Sequence, residues 1–233
     1  MSIKRTVLGV VATLTIVGGV NAAAALPASA ATPACTAAGL TCLSVFSDEL
    51  GSYPDPKFVE HVFGGIASVG TPTGLTTASP SDTSEDFFNP HPGDVSDYYA
   101  MGLVSAAVNQ HYGSLTASQL EYAPAGMPSG LCVGVATDPF ENEALSLQPC
   151  TVPGRTVWII GTSLSPTTVG AHLFPIVSGA TTDFARPFAM SYPHKVNSDE
   201  ALPPIRLRHL QFLGDEGTLP DNQLWGVKRG ILP

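Results

Sequence analysis

At 233 residues the chain is long enough to build a real core as one domain, or at most two. Its formal net charge of −9, with no basic run, excludes nucleic acid and anionic membrane surfaces as partners. Only 12% of the residues are charged while 23 are Gly and 21 are Pro, the balance of a loop-rich, mainly β protein.

Residues 1–30 have the three parts of a secretory signal peptide. Lys4 and Arg5 give a basic start, Val7 to Val20 an uncharged apolar run, and Leu26-Pro27-Ala28-Ser29-Ala30 a small-residue cleavage site after Ala30. The run is shorter than the ~20 residues a spanning helix needs, and Pro27 blocks its extension, so a cleaved leader is favoured over an anchor. Cleavage removes two positive charges and takes the net charge from −9 to −11. No later segment is long and apolar enough to span. The expected product is secreted and extracellular, with no membrane insertion after cleavage. Ala, Gly, Pro and Thr abound and lysine is scarce, a composition of the high-GC bacterial kind.

All four cysteines, Cys35, Cys42, Cys132 and Cys150, follow the cleavage site. An even count in an exported chain reads as disulfides. Three connectivities are open, and local pairing, Cys35–Cys42 with Cys132–Cys150, is the simplest. No Cys-x-x-Cys or Cys-x-x-His spacing supports a metal, and no cofactor is expected.

Residues 31–65 read as an N-terminal arm with one short helix. Asp55 can cap it, Pro56 suits the first helical position, and Gly64 can end it. Phe58, Val59, Val62 and Phe63 form its apolar stripe, with His61 on its surface. Residues 66–233 read as a β-rich domain. Three blocks begin at Gly74, Gly130 and Arg186, spaced 56 residues apart. In the first, Phe88 lies three before His91 and Tyr99 eight after it. In the second, Leu147 lies three before Cys150 and Trp158 eight after it. The third runs to Gln223-Leu224-Trp225 and needs an insertion between Leu210 and Asp221. Such self-similarity predicts a threefold barrel. A competing reading makes 94–113 helical, with Asp94 and Asp97 as capping residues and Gly113 as the stop. Tyr99 would then not correspond to Trp158.

Arg206, Arg208 and His209 come nearest to a basic patch and alternate like the polar face of a strand. Trp158 and Trp225 end apolar strands and read as core. The polar loop 191–204 reads as a surface feature. The motifs of a Gly-x-Ser-x-Gly elbow, a His-Glu-x-x-His site, a Walker loop and a dinucleotide loop do not occur. Carboxylate pairs at Glu85-Asp86 and Glu141/Glu143, and a grouping of His91, Asp94, Ser96 and Asp97, carry no geometry that assigns catalysis.

Cys132-Val133-Gly134-Val135, Leu145-x-Leu147-x-x-Cys150 and Trp158 together resemble one repeat of the ricin-B-type β-trefoil lectins, and Gln223-Leu224-Trp225 resembles a second Gln-x-Trp motif. The resemblance implies a trefoil-like barrel of three degenerate repeats with one or two short helices. It also implies a sugar-binding aspartate two residues after the first cysteine, where this chain has Gly134, and a glutamine where it has Thr156. The framework therefore matches better than the binding residues. The expected function is a non-enzymatic binding protein for an unknown extracellular ligand, a polysaccharide by analogy, with Glu141, Asn142 and Glu143 as candidate ligand contacts. Two alternatives stay open: an exported hydrolase whose site is assembled from distant residues, and a trefoil-type inhibitor of an extracellular protease presenting 191–204.

Overall fold

The computed structural model describes residues 42–47, 58–79, 81–161, 173–193, 204–213 and 218–229. The predicted leader, Cys35 and most of the 191–204 loop lie outside them. Everything below concerns the unit of residues 31–233.

Three successive sets of strands make up the fold. The first comprises β1 (Cys42–Ser47), β2 (Phe58–Val62), β3 (Thr73–Thr77) and β4 (Phe87–Phe88). An excursion follows through β5 (Gly93–Asp94), α1 (Val95–Ala100) and α2 (Ala106–Tyr112). The second set comprises β6 (Thr116–Ser118), β7 (Glu121–Tyr122), β8 (Leu131–Gly134), β9 (Ser146–Pro149) and β10 (Trp158–Ile160). The third comprises β11 (Leu173–Phe174), β12 (Ile176–Ser178), β13 (Phe188–Ser191), β14 (Arg206–His209) and β15 (Trp225–Arg229). An equivalent antiparallel hairpin recurs in each set: β2–β3, β8–β9 and β13–β14.

Hydrogen bonds between the hairpins express the threefold repeat directly. The Thr73 N–H donates to Leu145 O at 3.0 Å, the Leu145 N–H to Ile205 O at 2.9 Å, and the Ile205 N–H to Thr73 O at 3.1 Å. The bridges Pro72–Ser146, Ala144–Arg206 and Gly74–Pro204 run round the same axis. Hairpin register then fixes equivalent positions. Glu60 faces Leu75, Val133 faces Leu147, and Met190 faces Leu207. The three leucines are all fully buried.

The strands form a nine-stranded and a six-stranded sheet. The sheets are not closed into one barrel. The chain crosses between them after β4, β6, β9, β10, β11 and β14. One core fills the space between them, with Leu75, Leu147, Leu207, Phe87, Trp158 and Trp225 at its centre. The two indoles are anchored alike: Trp158 Nε1 donates to Val133 O and Trp225 Nε1 to Met190 O, each at 3.0 Å. Phe87 fills that place in the first set without the bond.

A second core lies outside the six-stranded sheet. Val95, Tyr98, Val108 and Tyr112 of α1 and α2 pack on Ala117, Ile159 and Val177. This explains why Val157, Trp158 and Ile159 are all buried although a strand alternates its faces. Trp158 points to the central core and its neighbours to the helices. The Asp94 N–H donates to Asp97 Oδ2 at 2.9 Å, and the Val108 N–H to Ser105 Oγ at 3.2 Å, so both helices are capped at their N-termini.

Two expectations need correction. Residues 58–62 form strand β2 and not a helix: Val62 faces the central core, Val59 packs on the opposite face against Phe46, and the ladder to β3 satisfies the backbone. The stripe Phe58, Val59, Val62 and Phe63 has helical spacing, and long-range pairing with β1 and β3 overrode it. β1 and β2, the described strands within 31–65, belong to the nine-stranded sheet, where β1 pairs with β15, β2 and β4. Finally, the first repeat begins near Phe58, not Gly74. The match of His91 and Tyr99 to Cys150 and Trp158 was accidental, for Tyr99 is an exposed residue of α1.

Candidate functional site

In the middle set, the Cys132–Cys150 disulfide ties the start of the hairpin to its end, as local pairing predicted. Its sulfurs are therefore not free to hold a metal. Cys42 is also disulfide-bonded, and its predicted partner Cys35 lies outside the described residues.

The lectin-like positions carry structure. A Cβ at Gly134 would lie 2.5 Å from Arg155 O and 2.9 Å from Thr156 Cγ2, so the chain itself fills the space of an aspartate there. The Gln-x-Trp glutamine is a staple: Gln223 Oε1 accepts the Gln211 N–H at 2.8 Å, and its Nε2 donates to His209 O at 3.0 Å. Glu85 does the same in the first set, accepting the Ser79 N–H with both carboxylate oxygens at 3.1 Å. Thr156 is too short for this in the second set. Gln119, from the preceding strand segment, supplies the missing amide, its Nε2 donating to Cys150 O at 2.6 Å and to Thr156 Oγ1 at 2.9 Å. Sequence reading missed Gln119 because it lies 37 residues from Thr156.

Loop 135–145 brings Glu141, Asn142 and Glu143 onto the neighbouring hairpin. Glu143 is buried, and its Oε1 accepts the N–H groups of Ala136 and Thr137 and the Thr137 hydroxyl. Asn142 has φ 66, a left-handed conformation that Asn tolerates better than most residues. Its N–H donates to Leu207 O at 2.9 Å. Its carbonyl accepts Arg206 Nη1 at 2.7 Å, and its Oδ1 accepts Arg208 Nε at 3.0 Å. Glu141 Oε2 accepts the His209 N–H at 3.0 Å. The three candidate residues thus meet the Arg206, Arg208 and His209 stretch across more than 60 positions of sequence.

Two cavities flank this junction. One of about 280 Å³ is lined by Asn142, Ser191, Tyr192, Pro193, Arg206 and Arg208. The other, of about 630 Å³, is lined by Glu141, Arg186, His209, Leu210, Gln211, Phe212 and Leu213. Phe212 and Leu213 are exposed. His209 stacks on Phe188 with ring centroids 3.9 Å apart. The face combines three arginines with apolar side chains. A separate cavity of about 450 Å³ opens between the sheets, where Leu43, Ser118, Ile160, Phe174 and Val227 meet Asn89 and Asp94.

Perturbed carboxyls lie in the first set. Burial raises the Glu60 pKa to about 8, Glu85 to about 7 and Asp86 to about 6. Burial likewise lowers that of His61. No hydrogen bond links His91 to Ser96, Asp94 or Asp97, whose contacts are those of turn and helix caps. Trp158 and Trp225 are buried core residues, as their sequence context predicted.

No protein-family model matches the chain, and no curated protein matches its sequence. Solved structures do share its fold. The crystal structure of a designed 3-fold symmetric protein, ThreeFoil, superposes with a TM-score of 0.50 at 13% identity, covering 80% of this chain and 96% of that one. A mosquitocidal holotoxin superposes with a TM-score of 0.50 at 7% identity, covering 82% of this chain and 17% of the toxin. At such identities the likeness concerns the fold alone. Together with the hydrogen-bonded triangle at Thr73, Leu145 and Ile205, it makes the chain a mainly β, trefoil-like protein carrying two short helices.

Proposed function

We propose that the mature chain is an exported, non-catalytic binding protein of the ricin-B-like trefoil type, its ligand an extracellular glycan. Its binding face is the junction of loop 135–145 with the β13–β14 hairpin. The observation that carries this reading is the pair of cavities on either side of Asn142, walled by arginine, histidine and exposed apolar side chains. Concave surfaces with a few fixed polar groups are the usual form of a ligand site. The expected sugar positions of the resemblance are closed at Gly134 and Thr156, so binding moves to the contact between the second and third sets. There Glu141 and Asn142 shape the face, and Glu143 holds their loop from beneath.

A glycan array and a panel of ester, peptide and glycoside substrates, both run on the secreted protein, test the proposal. Retention of glycans without turnover supports it. Asn142→Gly keeps the positive φ but removes the Oδ1 that holds Arg208, and is expected to weaken binding in a folded protein. Turnover of any substrate class overturns the non-catalytic reading. An N-terminal sequence beginning elsewhere than Ala31 overturns the assigned cleavage.

A further inference from the structure

We propose that the face around Arg206 and Arg208 takes an acidic glycan, one bearing carboxylate or sulfate groups; this rests on the binding reading above and names its ligand class. Arg206 and Arg208 are two apart on β14, so they leave the strand on the same side. Both line the cavity of about 280 Å³. Each spends one N–H on Asn142, while a guanidinium offers five donors. Neither is paired with a carboxylate: the ion pairs among the described residues join Arg155 to Asp138 and Arg186 to Asp183. In a chain of net charge −9, with 19 acidic residues to draw on, that is an unusual place to leave two positive charges unneutralised.

The geometry also holds them ready. Asn142, fixed by its own N–H on Leu207 O, grips both arms, Arg206 with its carbonyl and Arg208 with its Oδ1. Planar guanidinium forks match carboxylate and sulfate oxygens, where neutral hydroxyls gain less. Beyond Asn142, the larger cavity adds Arg186 and the exposed ring of Phe212, a surface on which a sugar face can lie. Glu141 is the opposing charge there, and its Oε2 is engaged by the His209 N–H. A nucleic acid is disfavoured by the acidic remainder of the surface.

The test uses calorimetry on the mature protein with four probes: an oligogalacturonate, a heparin-derived oligosaccharide, a neutral galactan oligosaccharide and polyglutamate. Binding is expected for one or both acidic glycans, weakening as salt rises, with the neutral probe unbound. Arg206→Gln and Arg208→Gln are each expected to weaken Kd about 10-fold. Arg155→Gln, which removes an already paired charge, is expected to change it about twofold or less. Should either variant misfold, phenylglyoxal labelling of the unaltered protein replaces it, and the acidic probe is expected to protect Arg206 and Arg208. Preference for the neutral probe, or acidic binding indifferent to both variants and without protection, overturns the acidic assignment and leaves glycan binding standing. Folded protein that binds no glycan overturns both. Arginine-dependent binding of polyglutamate but no glycan overturns the ligand class.

Discussion

Glu60→Gln should stabilise this protein at neutral pH and leave it unchanged in acid. Glu60 occupies the core position held by Val133 and Met190 in the other two sets, and it is 1% exposed. Neither carboxylate oxygen has a hydrogen bond. The Thr73 hydroxyl lies close enough to ease the charged form, but its geometry falls short of a hydrogen bond, so burial decides the outcome. Burial raises the pKa from 4.5 to about 8. The folded chain therefore holds this proton more tightly than the unfolded chain does. Stability is highest below the unfolded value, falls as pH rises through 4.5, and levels off above about 8. At pH 7 the folded state keeps the proton at a cost of roughly 3 kcal/mol relative to the ionised unfolded chain. Glutamine has the same shape and similar polarity but does not titrate, so it removes this cost alone. Urea titrations of both proteins at pH 4, 5.5 and 7 measure the difference. It should grow from near zero to roughly 3 kcal/mol, equivalent to about 6–12 °C in Tm for a chain of this size. A difference that is the same at all three values would refute the assignment of a buried, protonated Glu60.

Three further changes probe the staples. Gly134→Asp restores the residue a ricin-B-type repeat would carry, yet its Cβ meets Arg155 O at 2.5 Å; a loss of about 1–3 kcal/mol is expected in denaturant titration, with no gain on a glycan array. Gln119→Ala withdraws the buried amide from Cys150 O and Thr156 Oγ1, and should cost about 1–3 kcal/mol in the same assay. Replacing Cys132 and Cys150 together by serine opens a loop of 18-residue separation, for which thermal unfolding should show a loss of about 3 kcal/mol.

The middle set was the legible part because it keeps every local mark of its pattern: two cysteines bracketing a loop, a Leu-x-Leu pair and a tryptophan. The third was partly legible through Gln223 and Trp225. The first set was misread because its marks are altered at the places that would have announced it. Glu60 stands at a core position, Phe87 stands where the other sets have tryptophan, and Glu85 stands for the glutamine. With those gone, the apolar stripe of 58–63 fitted a helix, and Tyr99 of the helical excursion 94–113 supplied a false match for the first block. Alternation correctly placed Arg206 and Arg208 on the outer face of a strand. What sequence could not supply was their meeting with Asn142, a contact across 64 and 66 residues set by hairpin packing about the threefold axis.

The same packing explains why a ligand site would lie at a junction between sets. Within a single set, the atoms that face one another are committed to closing that set: Gly134 admits the backbone of Arg155, Gln223 secures Gln211, and Glu85 secures Ser79. Changing any of them forces a clash or leaves a buried group unsatisfied, which costs more than a surface contact gains. Between sets the constraint is looser. Loop 135–145 must reach β14, and it does so with two backbone bonds to Leu207, from Asn142 and Glu143, and with the side chains of Glu141 and Asn142, leaving two cavities beside the contact. New specificity can arise there by changing side chains that the fold does not need. On this argument, substitutions at Arg206 and Arg208 should alter binding with stability changes within about 0.5 kcal/mol, whereas those at Gln119, Glu85 and Gln223 should alter stability first.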